Sequence, residues 1–229
     1  MHIKGLQKLT LLDYKGYLAA TVFTGGCNLK CPFCHNKDLV LQPDSISSLD
    51  EEELLHFLSG RQGRLEAVCI TGGEPTIQED LLPFLEKLRS LNYKIKLDTN
   101  GSNPDKLNAL ITNGLVDYIA MDIKNSKEKY ALTSGCSNLS IADIERSIVY
   151  IMNSSCQYEF RTTVVRELHT QKDIMSISQW IQGASAYYLQ PYRESEQVIH
   201  PVYTSYTRQE LEHFITIAKQ YVAICDIVG

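Results

Sequence analysis

Short apolar runs alternate with amphipathic segments along nearly the whole chain. Seven of the runs are rich in β-branched and aromatic residues, which is typical of strands in a buried sheet. They lie at residues 17–23, 66–71, 94–99, 117–123, 157–165, 186–192 and 222–228. Six amphipathic segments between them predict helices, at residues 51–58, 79–92, 103–114, 140–153, 172–183 and 207–221.

Two of the predicted helices carry clear start or stop signals. Asp50 precedes three consecutive glutamates, and acidic side chains in a first turn favour the helix dipole. Pro104 stands early in its segment and Gly114 closes it, which is the usual asymmetry between helix starts and ends. These signals support the helix assignments.

Strands that alternate with helices of this length predict βαβ units and a parallel sheet. About six such units are present, fewer than the eight of a closed barrel. The pattern therefore favours an α/β fold, an open partial (β/α)6 barrel with parallel strands, over a doubly wound sheet. Because no linker or repeat interrupts the chain, we expect one domain over residues 1–229, with an N-terminal extension of about residues 1–16.

Composition and charge exclude several classes of function. The formal net charge of −5 argues against generic binding to nucleic acid, which needs a basic surface. No apolar run approaches the roughly 20 residues of a membrane helix, and the N-terminus lacks a signal peptide's apolar segment. We therefore expect a cytoplasmic protein with reduced thiols, in which a tight group of cysteines indicates metal binding or redox chemistry.

Polar motifs follow the predicted strands at the ends where parallel α/β folds bind ligands. "TGGCNLKCPFCHN" follows the first predicted strand, and "TGGEP" follows the second. Further along the chain, "LDTNG", "MDIK" and "QPYR" end three more strands. Because the carboxyl ends of parallel strands meet at one rim, we expect these motifs to lie together.

The first motif places Cys27, Cys31 and Cys34 within eight residues. A structural zinc site needs four ligands, and His35 is a poor fourth because it adjoins Cys34. A cubane iron–sulfur cluster fits better, because one loop can present three thiolates and leave the fourth iron open. The other cysteines are scattered, as expected of small buried apolar residues; they are Cys69, Cys136, Cys156 and Cys225.

These motifs together resemble a known superfamily. The Cys-x3-Cys-x2-Cys spacing, followed one strand later by "TGGEP", is similar to the radical S-adenosylmethionine (SAM) superfamily. "CNLKCPFCHN", "LDTNG", "MDIK" and "FRTTVV" resemble the glycyl-radical-enzyme activases more closely. The stretch from Gly5 to Asn36 is similar to the anaerobic ribonucleoside-triphosphate reductase activating proteins. The likeness reaches about Arg193, where the pyruvate formate-lyase activase has a histidine instead.

The resemblance implies a radical SAM core with one [4Fe–4S] cluster on three cysteines. At that cluster SAM is cleaved reductively, and the 5′-deoxyadenosyl radical installs a glycyl radical on a partner enzyme. The implied partner is an anaerobic ribonucleoside-triphosphate reductase, and the implied electron donor is a flavodoxin or ferredoxin. Because no further cysteine lies between Asn36 and Asp50, we expect a single cluster.

The resemblance also assigns roles to individual side chains of the first two motifs. Cys27, Cys31 and Cys34 are the implied cluster ligands. Three neighbours of Cys34, the last cluster ligand, are also implied in the site, and some of them border the adenine of SAM: Phe33, His35 and Asn36. Gly72 and Gly73 let the methionine end of SAM approach the backbone, and Glu74 can pair with its ammonium group.

The later motifs supply the remaining candidates. Burial of the Lys124 charge inside a barrel costs free energy unless an anion pairs with it. Lys124 is therefore expected to bind the SAM carboxylate or else to pair with Asp98. Arg161 is expected to contact cofactor or substrate, or to form a structural ion pair. A monovalent cation is implied between Asp98, Thr99 and Asp122. The sixth strand brings three further candidates to the rim: Gln190, Tyr192 and Arg193.

Other functions stay open at this point. The chain can be an activase of a pyruvate formate-lyase-type enzyme. It can also be a radical SAM enzyme that acts on a small molecule in cofactor or modified-nucleoside synthesis. A zinc or electron-transfer module without catalysis is the remaining alternative.

Overall fold

An eight-stranded sheet forms the centre of the computed structural model, which describes residues 1–228. Its strands, in chain order β1 to β8, are Ile3–Thr10, Ala19–Thr24, Ala67–Gly72, Lys94–Thr99, Tyr118–Asp122, Gln157–Val164, Ala186–Pro191 and Ile224–Ile227. The last seven match the predicted strands to within about two residues at each end. Buried apolar runs were therefore a reliable strand signal in this chain.

Within residues 1–228, eight α-helices are present, and most of them connect the strands. In chain order, α1 to α8 are Lys37–Leu41, Glu51–Ser59, Leu81–Ser90, Pro104–Thr112, Tyr130–Ser134, Ile141–Met152, Gln171–Trp180 and Arg208–Ala218. Asp50 caps α2 by accepting hydrogen bonds from the backbone N–H groups of Glu52 and Glu53, as its position before the glutamates predicts. Thr170 and Thr207 cap α7 and α8 through complete capping boxes.

The strands lie side by side in chain order, from β1 to β8. Each pair from β2 to β8 is parallel, and β1 pairs with β2 in the antiparallel direction. A doubly wound sheet would reverse its order at a switch point, so that alternative is wrong. Within the described residues β1 and β8 do not pair with each other. The prediction of an open partial barrel is confirmed.

The N-terminal segment forms an edge strand, which the sequence did not predict. β1 runs from Ile3 to Thr10, within the stretch expected to be an extension of the barrel. Its pairing with β2 shifts register twice, and Gln7, Lys8 and Leu9 are exposed. An irregular edge strand with glycine and lysine lacks the apolar run that marks most of the other strands.

The main apolar core lies between the sheet and its helices. Ile70, Leu97, Ile119 and Phe160 from neighbouring strands are fully buried there. A second, smaller apolar layer covers the cysteine loop, at the carboxyl ends of the strands. No helix within residues 1–228 is long and apolar enough to cross a membrane.

Candidate active site

A cavity of about 350 Å³ opens at the carboxyl ends of the parallel strands. It brings together all but one of the fifteen predicted cluster, SAM and cation residues. Those lining it are Cys27, Cys31, Phe33, Cys34, His35, Asn36, Gly72, Gly73, Glu74, Asp98, Thr99, Asp122, Lys124 and Arg161. The predicted rim therefore exists, and Tyr192 is the exception.

Hydrogen bonds fasten the cysteine loop to the end of β3. The Glu74 N–H donates to the Gly26 carbonyl over 2.9 Å, and the Gly73 N–H donates to the Thr24 carbonyl over 2.9 Å. Asn36 Nδ2 donates to the Gly72 carbonyl over 2.8 Å. The first two motifs thus form one continuous surface, although about forty residues separate them in the sequence.

The three thiols of the loop sit in an apolar environment. Cys31 is buried, and Cys27 and Cys34 are half-buried. Burial, with help from the Glu74 carboxylate, raises the pKa of the Cys27 thiol to about 12, and burial raises that of Cys31 to about 11. Without a metal these groups are neutral thiols, so binding of iron would release protons.

The donor set fits an iron–sulfur cluster chemically. Three soft sulfur atoms from one loop line one cavity, and the apolar layer behind them excludes water. Among residues 1–228, no three His, Cys, Asp or Glu side chains are grouped tightly enough to hold one single metal ion. A cubane does not need such a group, because each ligand cysteine binds a different iron.

Glu74 is fully buried and already has protein partners. Its Oε1 accepts hydrogen bonds from the Thr76 N–H (3.0 Å), the Thr76 hydroxyl (2.6 Å) and the Thr99 hydroxyl (2.7 Å). Its Oε2 accepts from the Asn100 N–H over 2.6 Å. Burial raises the pKa of Glu74, against the effect of these hydrogen bonds. The expected contact between Glu74 and an ammonium group stays a prediction.

Lys124 pairs with Asp122, not with Asp98. Lys124 Nζ lies 3.0 Å from Asp122 Oδ2, so the alternative of an Asp98–Lys124 pair is wrong. Asp122 ends β5 and Lys124 follows two residues later, so the two side chains are neighbours along the chain. Burial alone would raise the pKa of Asp122, but the charges of Lys124 and Arg161 outweigh it and lower the pKa to about 2.

Arg161 bridges the two aspartates. Its Nε lies 3.0 Å from Asp122 Oδ1, and its Nη1 lies 3.4 Å from Asp98 Oδ2. Lys96 Nζ lies 3.1 Å from Asp98 Oδ1, although no aligned hydrogen bond forms between them. Arg161 thus forms the structural ion pair that was one of its two expected roles, and it also lines the cavity.

A segment after β7 covers the outer side of the cysteine loop. Its backbone N–H groups at Ile199 and His200 donate to the carbonyls of Cys34 (3.2 Å) and Pro32 (2.8 Å). His35 Nε2 donates to the Arg193 carbonyl over 2.6 Å. Tyr192 is buried in the same layer, with its ring centroid 5.6 Å from that of His35, and does not line the cavity.

Three residues in or beside the site were not singled out in the sequence. Asn100 contacts Cys27 and Glu74, and Asp13 enters the cavity from the β1–β2 connection. His169 is fully buried; its Nδ1 accepts from the Val165 N–H (3.1 Å) and its Nε2 donates to the Lys124 carbonyl (2.8 Å). The asparagine of "LDTNG" was available as a signal, but it looked like part of a turn.

Comparison with known proteins agrees with this architecture. A family model described as the radical SAM superfamily matches residues 21–168. A Methanocaldococcus jannaschii protein named as a glycyl-radical enzyme activating enzyme is 29% identical over 233 residues, covering 96% of this chain and 92% of that protein. A pyruvate formate-lyase-activating enzyme of Staphylococcus aureus is 29% identical over 161 residues, which cover 64% of this chain and 62% of that protein.

A solved structure shows the same fold at low sequence identity. Streptococcus suis SuiB, crystallised with its precursor peptide SuiA, superimposes with a TM-score of 0.69 at 15% identity. The superposition covers 91% of this chain and 48% of SuiB. With its family match, partial barrel and three-cysteine loop at the rim, the chain belongs to the radical SAM superfamily.

Proposed function

We propose that this protein is a glycyl-radical-enzyme activase that cleaves SAM reductively at one [4Fe–4S] cluster. The observation that carries the proposal is the shared cavity, in which the three loop cysteines face the Gly72–Glu74 edge and Lys124. The names of the Methanocaldococcus and Staphylococcus relatives support the same activity.

Each part of the cavity has a role in this proposal. Cys27, Cys31 and Cys34 hold the cluster, which when bound supplies one electron to a sulfonium ligand. Gly72 and Gly73 keep side chains away from the ligand's path along the backbone. Lys124 attracts the carboxylate of the amino-acid end, because its ammonium group lines the cavity beside Asp122.

The ion-pair network holds Lys124 in place. Three cations and three carboxylates from β4, β6 and the end of β5 alternate in one network, which is therefore electrically balanced. Its members are Lys96, Asp98, Asp122, Lys124, Glu159 and Arg161. An incoming carboxylate therefore meets a positioned ammonium group and not a mobile one, which lowers the entropic cost of binding.

The size of the cavity favours a protein substrate. A cavity of about 350 Å³ lies at the lower end of the roughly 300–1,000 Å³ typical of small-molecule sites, and it must hold SAM beside the cluster. Below it, Lys96, Tyr118 and Glu159 fill the inside of the barrel and bond to neighbours. A further small molecule has little room, whereas a partner's loop can enter from the open rim.

We assign the partner more finely as an anaerobic ribonucleoside-triphosphate reductase, on the resemblance of the stretch from Gly5 to Asn36. A flavodoxin or ferredoxin is the proposed electron donor. The proposed monovalent cation would lie between Asp98, Thr99 and Asp122, where it would compete with the ammonium groups of Lys96 and Lys124 for the two aspartates. Omission of K⁺ and Na⁺ should then weaken SAM binding, and equal affinity in a choline buffer would remove the cation from the site.

The test mixes the reduced, cluster-loaded protein and SAM with each candidate partner under anaerobic conditions. Electron paramagnetic resonance should detect a glycine-centred radical on the ribonucleotide reductase, and none with the Cys31→Ala variant. A radical on pyruvate formate-lyase alone would identify that enzyme as the partner, and the proposed activase activity would stand. SAM cleavage without a glycyl radical on either partner would overturn the activase proposal in favour of a small-molecule substrate.

A further inference from the structure

Asn100 connects three parts of the site through one small side chain. It follows β4 in the "LDTNG" motif and is only 5% exposed. Its backbone N–H donates to Glu74 Oε2 over 2.6 Å. Its Nδ2 donates to Asn28 Oδ1 over 3.0 Å and lies within hydrogen-bonding distance of Cys27 Sγ, at 3.8 Å.

The orientation of the Asn100 amide follows from its partners. Asn100 Oδ1 accepts a hydrogen bond from the Ser102 N–H over 2.9 Å, and a backbone N–H can only donate. The carbonyl oxygen must therefore face Ser102, and the NH₂ group must face Cys27 and Asn28. Asn28 Nδ2 donates in turn to the Ser102 hydroxyl over 2.7 Å, which closes the network.

This contact distinguishes Cys27 from the other two cysteines of the loop. Within residues 1–228, Asn100 is the only side chain that donates a hydrogen bond to the sulfur of a loop cysteine. The Leu29 N–H donates to the same sulfur over 3.4 Å. Cys27 Sγ thus has two N–H donors from fixed positions.

We propose that Asn100 is a positioning residue that raises the reduction potential of the cluster by donating a hydrogen bond to Cys27 Sγ. An N–H group directed at a ligand thiolate stabilises its negative charge, and that charge grows when the cluster is reduced. The proposal rests on the proposed function, since it takes Cys27 as a cluster ligand. It adds a residue that tunes the electron transfer through its contact with Cys27.

The test measures the midpoint potential of the reconstituted, cluster-loaded protein. Asn100→Asp keeps the size and the acceptor for Ser102 but replaces the donor with a carboxylate, so its potential should fall. Asn100→Ser should lower the potential by a smaller amount. Ser102→Ala is the matched control, because it removes the hydroxyl that accepts from Asn28 and keeps the Ser102 N–H that holds the Asn100 amide; its potential should equal that of the wild type.

Iron and sulfide content is measured on every sample. Potentials that are equal in the wild type and both Asn100 variants, with full iron content, would overturn the role of Asn100. An equal fall in the Ser102→Ala control would also overturn it, because loop packing would then explain the shift. Absence of a four-iron cluster from the wild type would instead contradict the proposed function, so the two failures are distinguishable.

Discussion

The backbone of Gly73, just after β3, lies so close to that of Gly26 in the cysteine loop that no side chain fits between them. A Cβ atom on Gly73 would lie 1.9 Å from the Gly26 carbonyl oxygen and 2.6 Å from its carbon. The Glu74 N–H donates to that same oxygen. The glycine pair of "TGGEP" is thus required for the contact between β3 and the cysteine loop, in addition to any contact with a ligand.

We expect Gly73→Ala to displace the cysteine loop, because its methyl group would overlap backbone atoms that cannot rotate away. The free energy of unfolding should fall by about 1–3 kcal/mol, as measured by urea denaturation. SAM affinity should fall as well, since the loop and the β3 edge share the cavity.

Gly60→Ala is the control for the loss of a glycine. Gly60 has a helical backbone with φ −72°, and a Cβ there meets no atom closer than 3.6 Å. The free energy of unfolding of this variant should equal that of the wild type or exceed it by about 0.4–1 kcal/mol. Wild-type stability and SAM affinity in Gly73→Ala would contradict the close approach.

We expect Cys31→Ala to lose the cluster while the barrel stays folded. Cys31 lies in the small apolar layer over the loop, separate from the main core. Iron analysis and visible absorbance should show loss of the four-iron cluster, with an unchanged far-ultraviolet circular dichroism spectrum. Cys225→Ala removes a thiol from the main core and should retain full iron content. Equal iron content in the two variants would argue against Cys31 as a ligand.

Lys124→Ala should weaken SAM binding and leave the cluster intact. Loss of a charged hydrogen bond costs about 1.5–3 kcal/mol, which corresponds to roughly 10- to 150-fold in affinity. Isothermal titration of the cluster-loaded protein measures this change. Lys129→Ala, which breaks an ion pair with Asp173 outside the cavity, should bind SAM normally. An unaltered affinity in Lys124→Ala would remove that residue from the site.

The Asp122 ion pairs should stabilise the metal-free protein in a pH-dependent way. The pKa of Asp122 is lowered from the ordinary 3.8 to about 2, so its contribution is complete above about pH 4 and is lost as the pH falls to 2. That shift corresponds to roughly 2 kcal/mol. At pH 6 the free energy of unfolding of Asp122→Asn should be lower than that of the wild type by about this amount. The difference between the two proteins should disappear as the pH falls to 2. A difference independent of pH would contradict the ionised pair.

The fold was largely predictable, because most of the parallel strands contain buried apolar runs. β3 illustrates this, because residues 67–70 are all buried and the strand lies within one residue of its predicted range at each end. β1 was missed, since an exposed edge strand needs no apolar run. The segment over the cysteine loop was also missed, because it docks through backbone N–H groups, and such contacts leave no trace in residue type.

The residues of the site were predictable as a set, but their partners were not. Strand period places Asp122 and Lys124 on one side, yet it does not reveal that they pair with each other. Glu74 and Thr99 were each expected at the cofactor, whereas their side chains bond to each other over 2.7 Å. Tyr192 was expected at the cavity and packs behind His35. Such outcomes depend on rotamers and neighbours from distant parts of the chain.

Formation of 5′-deoxyadenosine by the reduced, oxygen-protected protein tests the central claim most directly. With SAM and a low-potential reductant, the wild type should show four-iron absorbance and release 5′-deoxyadenosine and methionine in equal amounts, and Cys31→Ala should release neither. A wild-type protein that contains the four-iron cluster yet yields no 5′-deoxyadenosine would contradict the account.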